Sequence, residues 1–192
     1  DYGLDMLACL WFAVSPDGWI YVYRELHQPG LIVSEAAKKI LEYSCGEEPE
    51  ELYMPPDMAS RQKDSGRTMA ELFYENGISG KAADNRRVAG WLAVKELLKP
   101  VSDPYGGKTP RLRIFKNCTT LIAHLPALVR DEKNGSDASS HPHEITHICD
   151  ALRYFALSYR EKEPPAPALS PLEEAKRKAL KRAKTGSRRS AF

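Results

Sequence analysis

The chain opens with alternations of apolar runs and turn signals. Residues 6–14 (MLACLWFAV) are continuously apolar, and residues 19–26 (WIYVYREL) are rich in aromatic and β-branched side chains. Ser15-Pro16-Asp17-Gly18 between them is a turn signal, so the two runs predict an antiparallel hairpin. Residues 31–44 carry Ile32, Ala36, Ile40 and Leu41 at helical spacing. Glu51–Met54 reads as a short strand, stopped by Pro55-Pro56 ahead of Asp57. A helix is expected over 66–76, closed by Gly77, and a short strand over Ile78–Lys81. Residues 85–99 predict an amphipathic helix ended by Pro100, residues 101–110 a Pro/Gly/Ser loop, and Leu112–Phe115 a strand. Residues 118–130 read as helical with an interruption at Pro126, and residues 131–143 as a polar loop. The helix expected over 144–160 places Ile145, Ile148, Cys149, Leu152, Ala156 and Tyr159 on one stripe. A hairpin followed by alternating helices and strands argues for an α/β fold with a mixed sheet.

Composition changes this picture little. Of 192 residues, 42% are hydrophobic and 28% charged, which fits a folded globular body. No apolar run reaches the roughly 20 residues that span a bilayer. Asp1 and Asp5 interrupt anything resembling a signal peptide. The four cysteines (Cys9, Cys45, Cys118, Cys149) form no CxxC pair, which argues against a thiolate zinc site and for reduced thiols. Charge is more telling. The net charge is +2, yet residues 171–192 hold eight Lys/Arg against two Glu, leaving the rest at −4. A Pro-rich linker begins at residue 163 (EPPAPALS), so the expected organisation is a body over 1–162 and a flexible basic tail over 163–192 suited to nucleic-acid attraction. A sequence that opens on Asp-Tyr-Gly and runs at once into a strand reads as a domain cut from something longer.

Candidate chemistry centres on aspartates at element ends. Asp1 begins the first strand region, Asp57 follows a short strand, and Asp150 lies on the last helix with His147 three positions earlier, on the same face. Carboxylates from separate elements suit hard Mg²⁺ or Mn²⁺, and two such ions about 3.5–4 Å apart activate water and stabilise the leaving oxygen in phosphodiester hydrolysis. A neighbouring histidine adds a ligand or a proton carrier. Residue by residue, other readings stand beside this one. Asp57 after two prolines suits a helix N-cap or turn. Asp150 suits a solvated helix face, and His147 a surface or supporting role. Asp5 is an alternative first ligand. His141, His143 and His147 suggest zinc, but Pro142 interrupts helical spacing and no cysteine is near, so a zinc site is not expected. Gly106-Gly107-Lys108-Thr109 resembles the end of a phosphate loop, but Ser102 stands where its first glycine belongs and Pro110 follows, so ATP hydrolysis is not expected. Arg61, Lys63, Arg86 and Arg87 suit either phosphate contacts or ordinary surface charge.

Three motifs together resemble the nuclease domain of bacteriophage terminase large subunits. Asp1-Tyr2-Gly3 resembles the family's D-aromatic-G opening, Met54-Pro55-Pro56-Asp57-Met58-Ala59 its second acidic motif, and His147-Ile148-Cys149-Asp150-Ala151-Leu152-Arg153-Tyr154 its H-x-x-D-A-x-R-Y signature. Asn85-Arg86-Arg87 with Gly90, and Leu112–Cys118, are also similar; the resemblance covers roughly residues 1–160. It implies a ribonuclease-H-like mixed sheet flanked by helices, with two Mg²⁺ or Mn²⁺ ions on Asp1, Asp57 and Asp150 and His147 nearby. The implied activity is endonucleolytic cleavage of double-stranded, concatemeric viral DNA during genome packaging. The implied partners are the terminase ATPase domain, the small terminase subunit and the portal protein, in the host bacterial cytoplasm. Two other functions fit less closely: another ribonuclease-H-like nuclease of resolvase or transposase type, and a noncatalytic DNA- or portal-docking module.

Overall fold

The computed structural model describes residues 1–159 except 4, 62–65 and 104–105. These belong to a compact unit spanning Asp1–Arg160. The expected linker and basic tail lie outside the described residues. Strand β1 (Met6–Val14) and strand β2 (Ile20–Pro29) form the hairpin that the two apolar runs predict. Its turn is fixed by Ser15: the hydroxyl accepts from Trp19 N at 3.0 Å and the carbonyl from Gly18 N at 2.9 Å, with Gly18 at φ 80°. Helix α1 (Val33–Ser44) follows, then β3 (Tyr53–Met54), a 3-10 turn over Pro56–Ala59 and helix α2 (Met69–Glu75). Strand β4 (Lys81–Ala82) pairs parallel with β3. Helix α3 (Arg87–Leu98) leads to β5 (Pro100–Ser102), β6 (Lys108–Pro110) and β7 (Leu112–Ile114). Helix α4 (Thr119–His124), a 3-10 turn at Leu125–Ala127 and helix α5 (His143–Ser158) complete the described unit. The architecture is mixed α/β: β7 joins β2 in parallel, which makes a three-stranded mixed sheet in the order β1-β2-β7.

The apolar run of β1 is continuous because both faces of the hairpin are covered. Ala8, Leu10 and Phe12 face a cluster with Trp91, Leu121, Ile148, Leu152 and Phe155, whereas Leu7, Cys9 and Trp11 face a second cluster with Ala36, Ile40, Met58 and Phe73. A β-bulge keeps β2 in step with this division. Trp11 pairs with Arg24 and Phe12 with Val22, so Tyr23 is the extra residue. Val22 therefore joins the first cluster and Leu26 the second, although an unbroken strand would place both on one face. Glu25 also reaches the first face, and there its carboxylate accepts from the N–H groups of Thr120 (2.7 Å) and Leu121 (3.0 Å) at the start of α4.

Some expectations need correction. Residues 101–110 are not all loop: β5 and β6 form an antiparallel hairpin. Its turn is closed by Asp103, which accepts from Gly107 N at 2.9 Å, with Gly106 at φ 83°. Lys108 and Thr109 thus lie in a strand, as rejection of the phosphate-loop reading requires. In α1 the buried residues are Ala36, Ala37 and Ile40, while Ile32 and Leu41 are exposed. The Pro126 interruption is real: α4 ends at His124, and Pro126 lies within the 3-10 turn that follows. Among the described residues no helix is long and apolar enough to cross a membrane.

Glu25→Ala removes the acceptor of two helix-terminal N–H groups. We expect a loss of about 1–2 kcal/mol, the range of lost helix caps, read as an unchanged urea m-value with a lower midpoint.

Candidate functional site

The chain start does not begin a long strand, as the sequence suggested; it folds back on β1. Asp1 and Ala8 exchange two backbone bonds: the Asp1 ammonium donates to Ala8 O at 2.6 Å, and Ala8 N donates to Asp1 O at 2.9 Å. Gly3 N closes the turn on Met6 O at 2.9 Å, and a Cβ at Gly3 would lie 2.6 Å from a carboxylate oxygen of Asp5. Tyr2 anchors this segment: its ring meets Phe73 edge-on at 5.0 Å and its hydroxyl donates to Leu31 O at 3.0 Å. The D-aromatic-G opening thus has a physical role for each residue: a carboxylate, a buried anchor and room for the next acid.

Helix α5 passes over this segment. It packs on β1, β3, α3 and α4, and its middle is buried nearly all round. The expectation of one apolar stripe opposite a polar face is therefore incomplete, because His147, Arg153 and Tyr154 are buried too. His147 is held between two acids: Asp1 Oδ2 lies 2.7 Å from Nδ1, and Asp5 Oδ2 lies 3.2 Å from Nε2. His143, one turn earlier, lies 3.0 Å from the same Asp5 oxygen and 3.2 Å from His147 Nε2. Pro142 does not break this spacing, since it sits at the N-cap and the helix starts at His143. Burial pushes the Asp5 carboxyl up, but its backbone hydrogen bond and then its two histidine neighbours outweigh that and hold it below its ordinary value.

One turn further along, Asp150 is fixed by Arg153, whose Nε donates to Oδ1 at 2.7 Å. Arg87 Nη1 stands 3.6 Å from the same oxygen. Arg153 is 1% exposed. Its guanidinium also donates to Asn85 Oδ1 at 3.1 Å and lies 4.4 Å from the centre of the Tyr154 ring. Space for it exists because position 90 is glycine: a Cβ there would fall 2.5 Å from Arg153 Cγ. Arg87 is half-buried, with Nε 3.0 Å from Asp137 Oδ2, and Trp91 Nε1 donates to Asp137 Oδ1 at 3.0 Å. Burial pushes the Asp137 carboxyl up, but the Arg87 and Ala138 bonds, the Arg87 charge and the Trp91 bond outweigh it and hold it below the ordinary range. Asp137 carries no motif, and sequence reasoning missed it; a loop acid reveals its partner only in three dimensions.

Asp57 lies in the 3-10 turn after β3 and is exposed. It is not an N-cap: Pro55 holds that position and no side chain caps the turn. No contact distance joins it to Asp1 or Asp150, but their fields overlap. The buried Asp1 ammonium is shifted down by desolvation, and the charges of Cys9, Asp150 and Asp57 oppose that shift. The Tyr154 hydroxyl is pushed up by burial first, and both Asp150 and Asp57 add to the rise. Three carboxylates on separate segments form a donor set that fits hard divalent ions. The other basic candidates are committed locally: Arg86 pairs with Asp84 at 2.7 Å and Arg61 donates to Gly66 O at 2.7 Å. Lys63 lies outside the described residues. Cys9 and Cys149 are free thiols pushed by burial to about 11 and about 12, so neither is poised as a thiolate ligand.

No protein-family model matches this chain, nor does any curated protein or solved structure.

Two outcomes test this network. An exposed mid-helix Gly→Ala stabilises by about 1 kcal/mol, whereas Gly90→Ala should destabilise by about 1–3 kcal/mol through overpacking against Arg153, measured by urea unfolding. Asp137 titrates lower folded than unfolded, so its contribution is present above the unfolded value near 3.9 and is lost as pH falls through the folded one. Thermal midpoints from about pH 5 downward should therefore fall less steeply in Asp137→Asn than in the parent.

Proposed function

We propose that this chain is a divalent-metal-dependent endonuclease of the terminase large-subunit kind, with a ribonuclease-H-like arrangement and double-stranded DNA as substrate. One observation carries the reading. The Asp1–His147 bond at 2.7 Å ties the D-aromatic-G opening to the H-x-x-D-A-x-R-Y helix, one turn from Asp150. Residues that resemble separated family motifs therefore meet in space, with Asp57 close enough to act on the same groups. A hairpin followed by a parallel pair, with one helix packed on both, also supports the ribonuclease-H-like reading.

Asp1, Asp57 and Asp150 would hold two Mg²⁺ or Mn²⁺ ions. When bound, such ions activate water and stabilise the leaving oxygen. The remaining residues act on geometry. Arg153 fixes Asp150 by its Oδ1, and His147 fixes Asp1 by its Oδ2. Backbone phosphates would be drawn by the basic residues 171–192, which gives little base preference and steep salt dependence. The ATPase domain, small subunit, portal protein and host-cytoplasm setting follow from the same resemblance and stand or fall with it.

Supercoiled plasmid incubated with the chain in EDTA, Mg²⁺ or Mn²⁺ tests the reading. Nicking and linearisation should need metal, and Asp57→Ala and Asp150→Ala should each lower the rate at least about 100-fold, the scale on which lost charge stabilisation acts. Asp57→Ala should keep the parent's circular dichroism, and Asp150→Asn, which leaves Arg153 an acceptor, should show the same loss of cutting without unpairing that guanidinium. Undiminished cutting by a clean Asp150→Ala preparation sinks the assignment. Duplex binding without cutting would favour a docking module.

A further inference from the structure

Asp5, His143 and His147 form a second donor group beside Asp1, and the chemistry of its donor atoms differs from that of the three aspartates of the proposed nuclease centre. We propose that they bind a late first-row divalent ion of the zinc class, at a site separate from the Mg²⁺/Mn²⁺ centre.

The three donor atoms are Asp5 Oδ2, His143 Nδ1 and His147 Nε2. They stand 3.0, 3.2 and 3.2 Å from one another. An ion with bonds of about 2.0–2.1 Å, in tetrahedral or octahedral geometry, spaces its ligand atoms by about 3.0–3.4 Å. The observed triangle is thus one face of such a polyhedron. His143 and His147 stand at i and i+4 on α5, the spacing that turns two imidazoles towards one point. The carboxylate arrives from the turn that Gly3 makes possible.

The tautomer of His147 follows from its other neighbour. Asp1 is a carboxylate, which only accepts, and it lies 2.7 Å from Nδ1, so Nδ1 carries the proton. Nε2 is the nitrogen left to face a carboxylate oxygen and a second imidazole nitrogen, and in the neutral ring it is a lone pair. Three such atoms at this spacing need a positive charge among them, a proton or a metal ion. A carboxylate holding the far N–H of a metal-binding histidine is the usual support for such a ligand. Two nitrogens and one oxygen suit Zn²⁺, Ni²⁺, Co²⁺ or Fe²⁺ far better than Mg²⁺. Three protein ligands leave coordination positions for water. Asp1 thus faces both centres: its Oδ2 supports the histidine, while Oδ1 is left for the acidic site. Asp5 and His143 are exposed, so the ion has an open path.

Direct binding tests this without recourse to cleavage. The whole chain, stripped with a chelator, is titrated with Co²⁺ and followed by visible absorption. One equivalent should develop an intense ligand-field band, which Zn²⁺ bleaches stoichiometrically and a large excess of Mg²⁺ leaves intact. His143→Ala and Asp5→Ala, both at exposed positions, should lose the band. Asp1→Asn should keep it with about 10–100-fold weaker affinity. No band at one equivalent, or an undiminished band in His143→Ala, overturns the site. Because absorption is independent of plasmid cutting, either proposal can fail while the other stands.

Discussion

A guanidinium buried to 1% exposure cannot be left unanswered, and the answer to Arg153 organises the heart of this protein. Asp150 supplies the opposite charge, Asn85 a further acceptor, the Tyr154 ring a face, and Gly90 the room in which the side chain lies. Each of these fixes something else. Gly90 sets how closely α3 approaches α5. Asp150 is held in one orientation. Arg87 and Trp91, on the same helix as Gly90, draw Asp137 inward from its loop. Helix α5 is therefore less an amphipathic helix resting on a sheet than a helix sunk in the interior, whose buried guanidinium is answered through Nε and Nη2 while Nη1 has no hydrogen-bond partner among the described residues.

The sheet beneath it obeys a second constraint. With both faces covered, β1 has no solvent side to set its register, so an irregularity in its partner decides what faces what. The bulge at Tyr23 does this, turning Glu25 towards α4 and Leu26 towards α1. One inserted residue thus positions a helix start on one face and completes a core on the other.

The hairpin, α3, β7 and α5 were legible because long periodic runs and strong turn residues coincide there. The β5–β6 hairpin was hidden: its prolines and glycines look like loop, and only Asp103 closing on Gly107 reveals the pairing. Tyr23 as a bulge was hidden as well, since the run around it is uniformly strand-like. Asp1, His147 and Asp150 were legible through motif likeness, but their surroundings were not. Pro142 looked like a break between histidines, whereas as an N-cap it begins the helix that aligns two of them. Asp137 carries no sequence signal and Asp5 reads only as an alternative first ligand, because what makes them matter is a partner far along the chain, with Arg87 50 positions from one and His147 142 from the other.

The bond between Asp1 and His147 closes a loop of 146 positions. Loop closure on this scale is among the last favourable steps available to a folding chain, because the entropy of bringing the ends together is met only when the rest has packed. During synthesis, a ribosome that has completed α4 has made the residues of two hairpins, two parallel pairs and four α-helices, but not the neighbourhood in which Asp1 and Asp150 sit. The meeting of Asp1 with His147 is absent, by topology alone, until α5 docks.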